Sequence, residues 1–238
     1  MLGQLLEFSI TASPIAPTLD FYRRLGFEEL ATGDILQSPY AAIWDGNMVA
    51  GLHDWGFDSP ALCFARPDLD GHLRGLKRLG IHCEFTQLAD TEFNQAGFRD
   101  PNGQLILLLE ARTFSPGIWE SSNVAACGQF LEYSLATHSV EESCAYWARL
   151  GLMPITTGNA PYPWARLGGC GLTLGLHQTG GFKAALCFEA VDLAARLAYL
   201  EAKGLSPTRR APQAIDGRGS AALQAPDGTL ICLLEAAV

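Results

Sequence analysis

Two glutamates occupy the same place in two copies of one local sequence. Glu7 lies in Leu-Glu-Phe-Ser and Glu132 in Leu-Glu-Tyr-Ser, 125 positions apart. Both stretches alternate as strands do, so Glu7 shares a face with Ser9 and Thr11, and Glu132 shares one with Ser134 and Ala136. On an enclosed face a carboxylate is costly unless it is hydrogen-bonded, paired or neutralised. It then serves as a general base of raised pKa or as an anchor for a ligand's amine or hydroxyl. The plainer role is a carboxylate satisfied by backbone, water or an arginine. A second repeated position holds Tyr40 and Trp164, each after a proline. On the same parity stand Ala42 and Trp44 in the first copy, and Arg166 and Gly168 in the second. Aromatic rings beside an arginine suit a flat or anionic organic ligand, against the plainer reading of core aromatics and a solvent-facing arginine. The candidates are therefore Glu132 and Glu7 as bases, and Trp164, Arg166, Tyr40 and Trp44 as ligand contacts.

The elements that must position these residues are also repeated. Residues 6–27 match 131–152, Ala-Gly-Leu-His at 50–53 matches Leu-Gly-Leu-His at 174–177, and Ala-Leu-Cys-Phe occurs at 61–64 and again at 185–188. Asp-Pro-Asn-Gly at 100–103 matches Ala-Pro-Asp-Gly at 225–228. Self-similarity at an offset of 124 or 125 residues is the strongest signal in the chain. Within each half the pattern is two units of strand, helix and three strands. Helices are expected over 18–25, 69–79, 142–150 and 192–203, with a buried stripe of Leu69, Leu73, Leu76 and Leu79 in the second and Leu193, Leu197 and Leu200 in the fourth. Strands are expected over 6–11, 41–44, 48–52, 61–65, 93–99 and 105–110, with a turn at Asp45-Gly46. Domains of 1–113 and 126–238 follow, joined by a linker at 114–125 where the periodicity breaks.

Composition narrows the classes of function. Of the 238 residues 48% are hydrophobic and 17% charged, which is globular rather than disordered. The net charge of −9, with no basic block, argues against nucleic acid and against an anionic membrane surface. No apolar run reaches the roughly 20 residues of a bilayer span, and the first residues read as a strand rather than a signal peptide. Seven scattered cysteines with no Cys-x-x-Cys pair read as reduced thiols in a cytoplasmic protein.

The ordered set Phe-Tyr-Arg-Arg-Leu-Gly-Phe (21–27), Tyr-Trp-Ala-Arg-Leu-Gly-Leu (146–152), Asp-Pro-Asn-Gly (100–103) and Pro-Asp-Gly (226–228) resembles the vicinal oxygen chelate superfamily. That superfamily includes glyoxalase I, extradiol dioxygenases and bleomycin-resistance proteins. The resemblance runs the length of the chain and implies an α+β fold of tandem paired βαβββ units, forming cupped mixed sheets around a cavity. In metal-dependent members four positions of a domain can carry ligands. Matched here, they fall on Glu7, Ala50, Ala61 and Leu107, and in the second half on Glu132, Leu174, Ala185 and Cys232. One carboxylate per half does not make up the usual three protein ligands, so no metal and no cofactor are expected, a divalent metal being the alternative. The one metal set left to consider is Glu132 with Cys187 and Cys232. His53 and His177, three residues beyond Ala50 and Leu174, are expected on the opposite face and so outside the site.

The resemblance then implies a metal-free protein that holds a small organic molecule in an apolar cup, as bleomycin-resistance proteins do. The alternative is a lyase, isomerase or oxygenase of the glyoxalase or dioxygenase families that uses Glu7 or Glu132 as base or a substituted metal site. The second half, with Arg166, Trp164 and Glu132, carries more polar equipment and is expected to be the working one. Expected partners are the small organic ligand and a second copy of the chain as a homodimer, with neither nucleic acid nor membrane.

Overall fold

The computed structural model describes residues 2–31, 39–89, 93–111, 125–208 and 220–236. In the first half β1 (Gln4–Thr11), α1 (Ile15–Arg24), β2 (Glu28–Leu30), β3 (Tyr40–Trp44) and β4 (Val49–His53) form one unit. β5 (Ala61–Arg66), α2 (Leu69–Arg78), β6 (Phe85–Gln87), β7 (Gln95–Arg99) and β8 (Leu105–Glu110) form the next. The second half runs β9 (Gln129–Ala136), α3 (Val140–Leu150), β10 (Met153–Gly158), β11 (Trp164–Gly169) and β12 (Leu172–His177). It ends with β13 (Ala184–Ala190), α4 (Leu193–Ala202), β14 (Ser220–Gln224) and β15 (Leu230–Glu235). The strands make two open mixed sheets, in the orders β2-β3-β4-β1-β5-β8-β7-β6 and β10-β11-β12-β9-β13-β15-β14. In each, the opening strands of the two units lie antiparallel at the centre (β1 with β5, β9 with β13), and each is flanked by a parallel partner.

Alternation gives each sheet two unlike faces. Phe8, Ile10, Leu52, Leu62, Phe64, Ile106 and Leu108 point one way and belong to one core with the buried residues of all four helices. That core is continuous between the halves: the Phe8 ring lies 5.6 Å from that of Phe130 and 5.3 Å from that of Tyr133. Polar contacts follow the same seam. Tyr133 Oη donates to Gln104 Oε1 at 3.0 Å, and the Asn102 amide donates to Ser143 Oγ at 3.1 Å. The repeated Asp-Pro-Asn-Gly turn of the first half is thus a clamp on helix α3 of the second. Glu7 and Glu132 lie on the other faces, directed away from this shared core and from the buried apolar residues of the four helices.

The helices start and stop for local reasons. Asp68, Ser139 and Asp192 each accept a backbone N–H three residues on, the usual N-cap arrangement. Gly151 closes α3 at φ 101°, a conformation glycine adopts without a Cβ penalty. Sequence expectations of helix position hold to within a few residues, except that α1 begins three residues earlier. Leu193, Leu197 and Leu200 are buried, as are Leu69 and Leu76, but Leu73 is only partly covered and Leu79, at the C-cap, is exposed. The strands not located in sequence, β2, β6 and β10, are sheet edges, where mostly exposed residues leave little alternation to read. The fourth edge, β14, is largely buried and falls where the repeat carries the strand expected over 93–99. Gly75 sits inside α2 with nothing within 4 Å of where a Cβ would stand. Gly75→Ala is expected to stabilise the protein by about 0.5–1 kcal/mol in urea unfolding, because alanine loses less backbone entropy.

Candidate functional site

Each cup is organised around its glutamate. In the first, Glu7 Oε1 accepts from Ser9 Oγ at 2.7 Å and lies 2.8 Å from His53 Nε2, while Tyr40 Oη donates to Oε2 at 2.5 Å. In the second, Glu132 Oε1 accepts from Ser134 Oγ at 2.7 Å and lies 2.7 Å from His177 Nε2, and Arg166 Nε donates to Oε2 at 2.5 Å. The same three-part cradle is thus built twice, with tyrosine in one copy and arginine in the other.

A missing side chain lets the carboxylate reach the histidine. Strand β1 runs parallel to β4 with Ser9 opposite Gly51 and Thr11 opposite His53; β9 and β12 repeat this with Ser134 opposite Gly175 and Ala136 opposite His177. The carboxylate leans across the space that a Cβ at Gly51 or Gly175 would fill. Such an atom would overlap Glu7 or Glu132 respectively. Side chains two apart share a strand face, so Gly-Leu-His in each half sets an empty position beside a histidine on the glutamate's own face.

This corrects the expected place of the histidines. Ala50 pairs with Phe8 and Leu174 with Tyr133, so both point into the core. The odd step from 50 to 53 and from 174 to 177 changes face, and it does so into the cup. His177 is 2% exposed and His53 15% by side chain. Aromatic rings surround both: Tyr40, Trp55 and Phe57 lie 4.9, 5.8 and 5.7 Å from His53, and Tyr162 and Phe182 lie 5.9 and 5.8 Å from His177.

The expected raising of the glutamate pKa is also reversed. Burial pushes both carboxyls up and is the largest single influence on each. It is outweighed on Glu7 by the hydrogen bond and charge of His53, with Tyr40 and Ser9 adding to them, and the net shift is downward. On Glu132 the hydrogen bond and charge of His177 and then Arg166 hold the carboxyl down to about 2. An anion held that low is an acceptor and an orienting group rather than a base of raised pKa. Because its folded value lies below the ordinary 4.5, the stability Glu132 contributes is complete above that value and is lost as pH falls toward about 2. Acid unfolding should show this: the stability gap between wild type and Glu132→Gln narrows between pH 4.5 and 2. A gap independent of pH there would contradict it.

The other candidates divide. Tyr40 and Arg166 sit on the carboxylates. Trp164 pairs across the strands with His177, but its ring lies over Gly158 and its indole N–H donates to Ala160 O at 3.2 Å. Trp44 is at the far end of β3, opposite Val49, about 13 Å along the strand from Tyr40.

The positions facing the glutamates do not make a metal set. Cys63 and Leu107 line up beside Glu7, and Cys187 and Cys232 beside Glu132. Burial, the neighbouring Cys232 and the Glu132 charge push the Cys187 thiol well up, whereas a thiolate is the form that binds metal. Arg166 holds the carboxylate oxygen such an ion would need, and no group of three His, Cys, Asp or Glu within reach of one ion occurs among the described residues. These side chains do not fit a divalent ion held by the protein.

No protein-family model and no curated protein sequence matches the chain. Its fold is similar to that of solved extradiol dioxygenases, in the same tandem arrangement. Catechol 2,3-dioxygenase is similar over 97% of this chain and 87% of its own, at 16% identity and a TM-score of 0.61. The 2,2',3-trihydroxybiphenyl 1,2-dioxygenase of Sphingomonas wittichii is similar over 98% and 90%, at 15% identity and 0.62. A variant of homoprotocatechuate 2,3-dioxygenase from Brevibacterium fuscum is similar over 100% and 72%, at 13% identity and 0.64. At such identities the likeness establishes the architecture, and chemistry must be argued from side chains. Among the described residues no helix is long and apolar enough to cross a membrane.

Proposed function

We propose that the protein binds a small, flat organic molecule on the cup face of its second sheet, by ring contact and hydrogen bonding rather than through a protein-held cation. The observation that carries this reading is the occupancy of the central carboxylate. Glu132 is taken by Arg166, His177 and Ser134, and the positions beside it are thiols and apolar side chains. That leaves an apolar surface with a few oriented polar groups, the usual make-up of a small-molecule site. The neighbours' names, catechol and trihydroxybiphenyl dioxygenases, supply ring-sized ligands as the class to try first.

The test is a thermal-shift screen of flat aromatic compounds on protein treated with EDTA, followed by equilibrium dialysis of the hits. Stabilisation that survives EDTA, with metal far below one ion per chain by elemental analysis, is the expected result. A stoichiometric metal whose removal abolishes binding would overturn the cation-free reading. Oxygen uptake with catechol would transfer the protein to the dioxygenase-family alternative.

A further inference from the structure

The first cup ends in a wall of rings that the second lacks. Thr11 closes β1 on the face of Glu7 and Ser9, and its hydroxyl donates to Phe57 O and accepts from Phe57 N, both at 3.2 Å. Its backbone N–H donates to Ser59 Oγ at 3.1 Å. The connection from β4 to β5 is thereby pinned beside His53, with the Trp55 and Phe57 rings 4.7 Å apart. Trp55 stays 47% exposed, and Phe57 and Tyr40 are partly so. Counting on from the repeated Gly-Leu-His, the second half has Thr179 for Trp55, Gly181 for Phe57, and Ala136 for the anchoring Thr11.

Charge differs between the cups in the same places. Asp54 and Asp58 bracket the two rings, where the second half has Gln178 and Phe182. Asp58 shares Arg99 with Glu84, at 2.7 and 3.1 Å, two carboxylates against one guanidinium. Among the described residues nothing holds the Asp54 carboxylate. With Glu7 ionised, its pair with His53 has no net positive charge in either state of the ring. Ala42, opposite Gly51, stands where Arg166 stands opposite Gly175. The rings are thus set among surplus negative charge, and the net charge of −9 draws cations from a distance. Exposed aromatic faces attract a cation through their quadrupole, and an alkylated ammonium gives up little hydration to meet them.

We infer that the mouth of the first cup is a second binding site, one for a small organic cation carrying an N-alkylated ammonium group, which Trp55 and Phe57 hold by their rings and Asp54 by its charge. No proton and no covalent bond changes hands. The site is separate from the flat-ligand surface of the second sheet and shares no residue with it.

The experiment is an NMR titration of the full-length 15N-labelled protein with choline and with 3,3-dimethylbutan-1-ol, which has the same shape without the charge. It is followed at the amides of residues 54–58 and at the indole N–H of Trp55, identified by its loss in Trp55→Phe. Choline is expected to move these resonances as one site, with a Kd about tenfold below that of the alcohol. Trp55→Ala should weaken choline about tenfold or more, and Asp54→Asn about threefold. Both positions lie outside the buried core, and the wild-type contrast of choline with the alcohol stands as a test even if a variant fails to fold. No binding of choline, equal affinity for the alcohol, shifts confined to the second half, or unchanged binding by Trp55→Ala would each overturn the inference. None of these results bears on the flat-ligand screen, which reads other residues.

Discussion

Glu132→Ala is expected to cost about 3–5 kcal/mol of stability at neutral pH, read as a fall in the urea midpoint with an unchanged slope. The size follows from what the substitution strands rather than from what it removes. Glu132 is fully buried, and its two oxygens hold Arg166 and His177, which are 20% and 2% exposed. Without the carboxylate a largely buried guanidinium faces an imidazole N–H with no anion between them. Glu132→Gln keeps the shape and one acceptor oxygen and should lose less. Glu7→Ala should also lose less, because no arginine is stranded in the first cup. A Glu132→Ala variant within about 1 kcal/mol of wild type would show that the carboxylate is not the ionic hub of the second cup.

Gly175→Ala is expected to destabilise the protein by about 2–4 kcal/mol and to break the Glu132–His177 contact. A Cβ at this position would overlap Oε1 of Glu132 and stand 2.7 Å from Nε2 of His177. The strand cannot yield, since β12 is paired on both sides, so the carboxylate must leave. Thermal unfolding reads the loss, and the His177 imidazole nitrogen resonances read the broken contact. Gly180→Ala, with open space around the new atom, serves as the control and should stay within about 0.5 kcal/mol of wild type. Equal effects at 175 and 180 would remove the steric argument.

Much of this arrangement was legible in the residues, and the gaps have physical causes. The repeat placed Glu7 and Glu132 and singled out Tyr40, and strand parity put Arg166 on the face of Trp164; the structure finds Tyr40 and Arg166 touching the carboxylates. The histidines were misplaced because the face was counted from a family ligand position, and Ala50 and Leu174 turn out to point into the core. The local signal was Gly-Leu-His itself: an empty position two residues before a histidine, repeated in both halves, in strands parallel to those of the glutamates. The lowered carboxyl pKa could not be read from spacing, since it depends on which donors reach the carboxylate. Nor could the edge strands β2, β6 and β10, whose residues mostly face solvent and carry no apolar rhythm.

The seam joining the halves has a consequence for how the molecule fails. Phe8 needs Phe130 and Tyr133, and Asn102 needs Ser143, so neither repeat completes its interior alone. A half-length product would present an oily wall to water and stick to its neighbours. Because the two halves share one core, a single cooperative unfolding transition is expected, with damage to either cup felt in both.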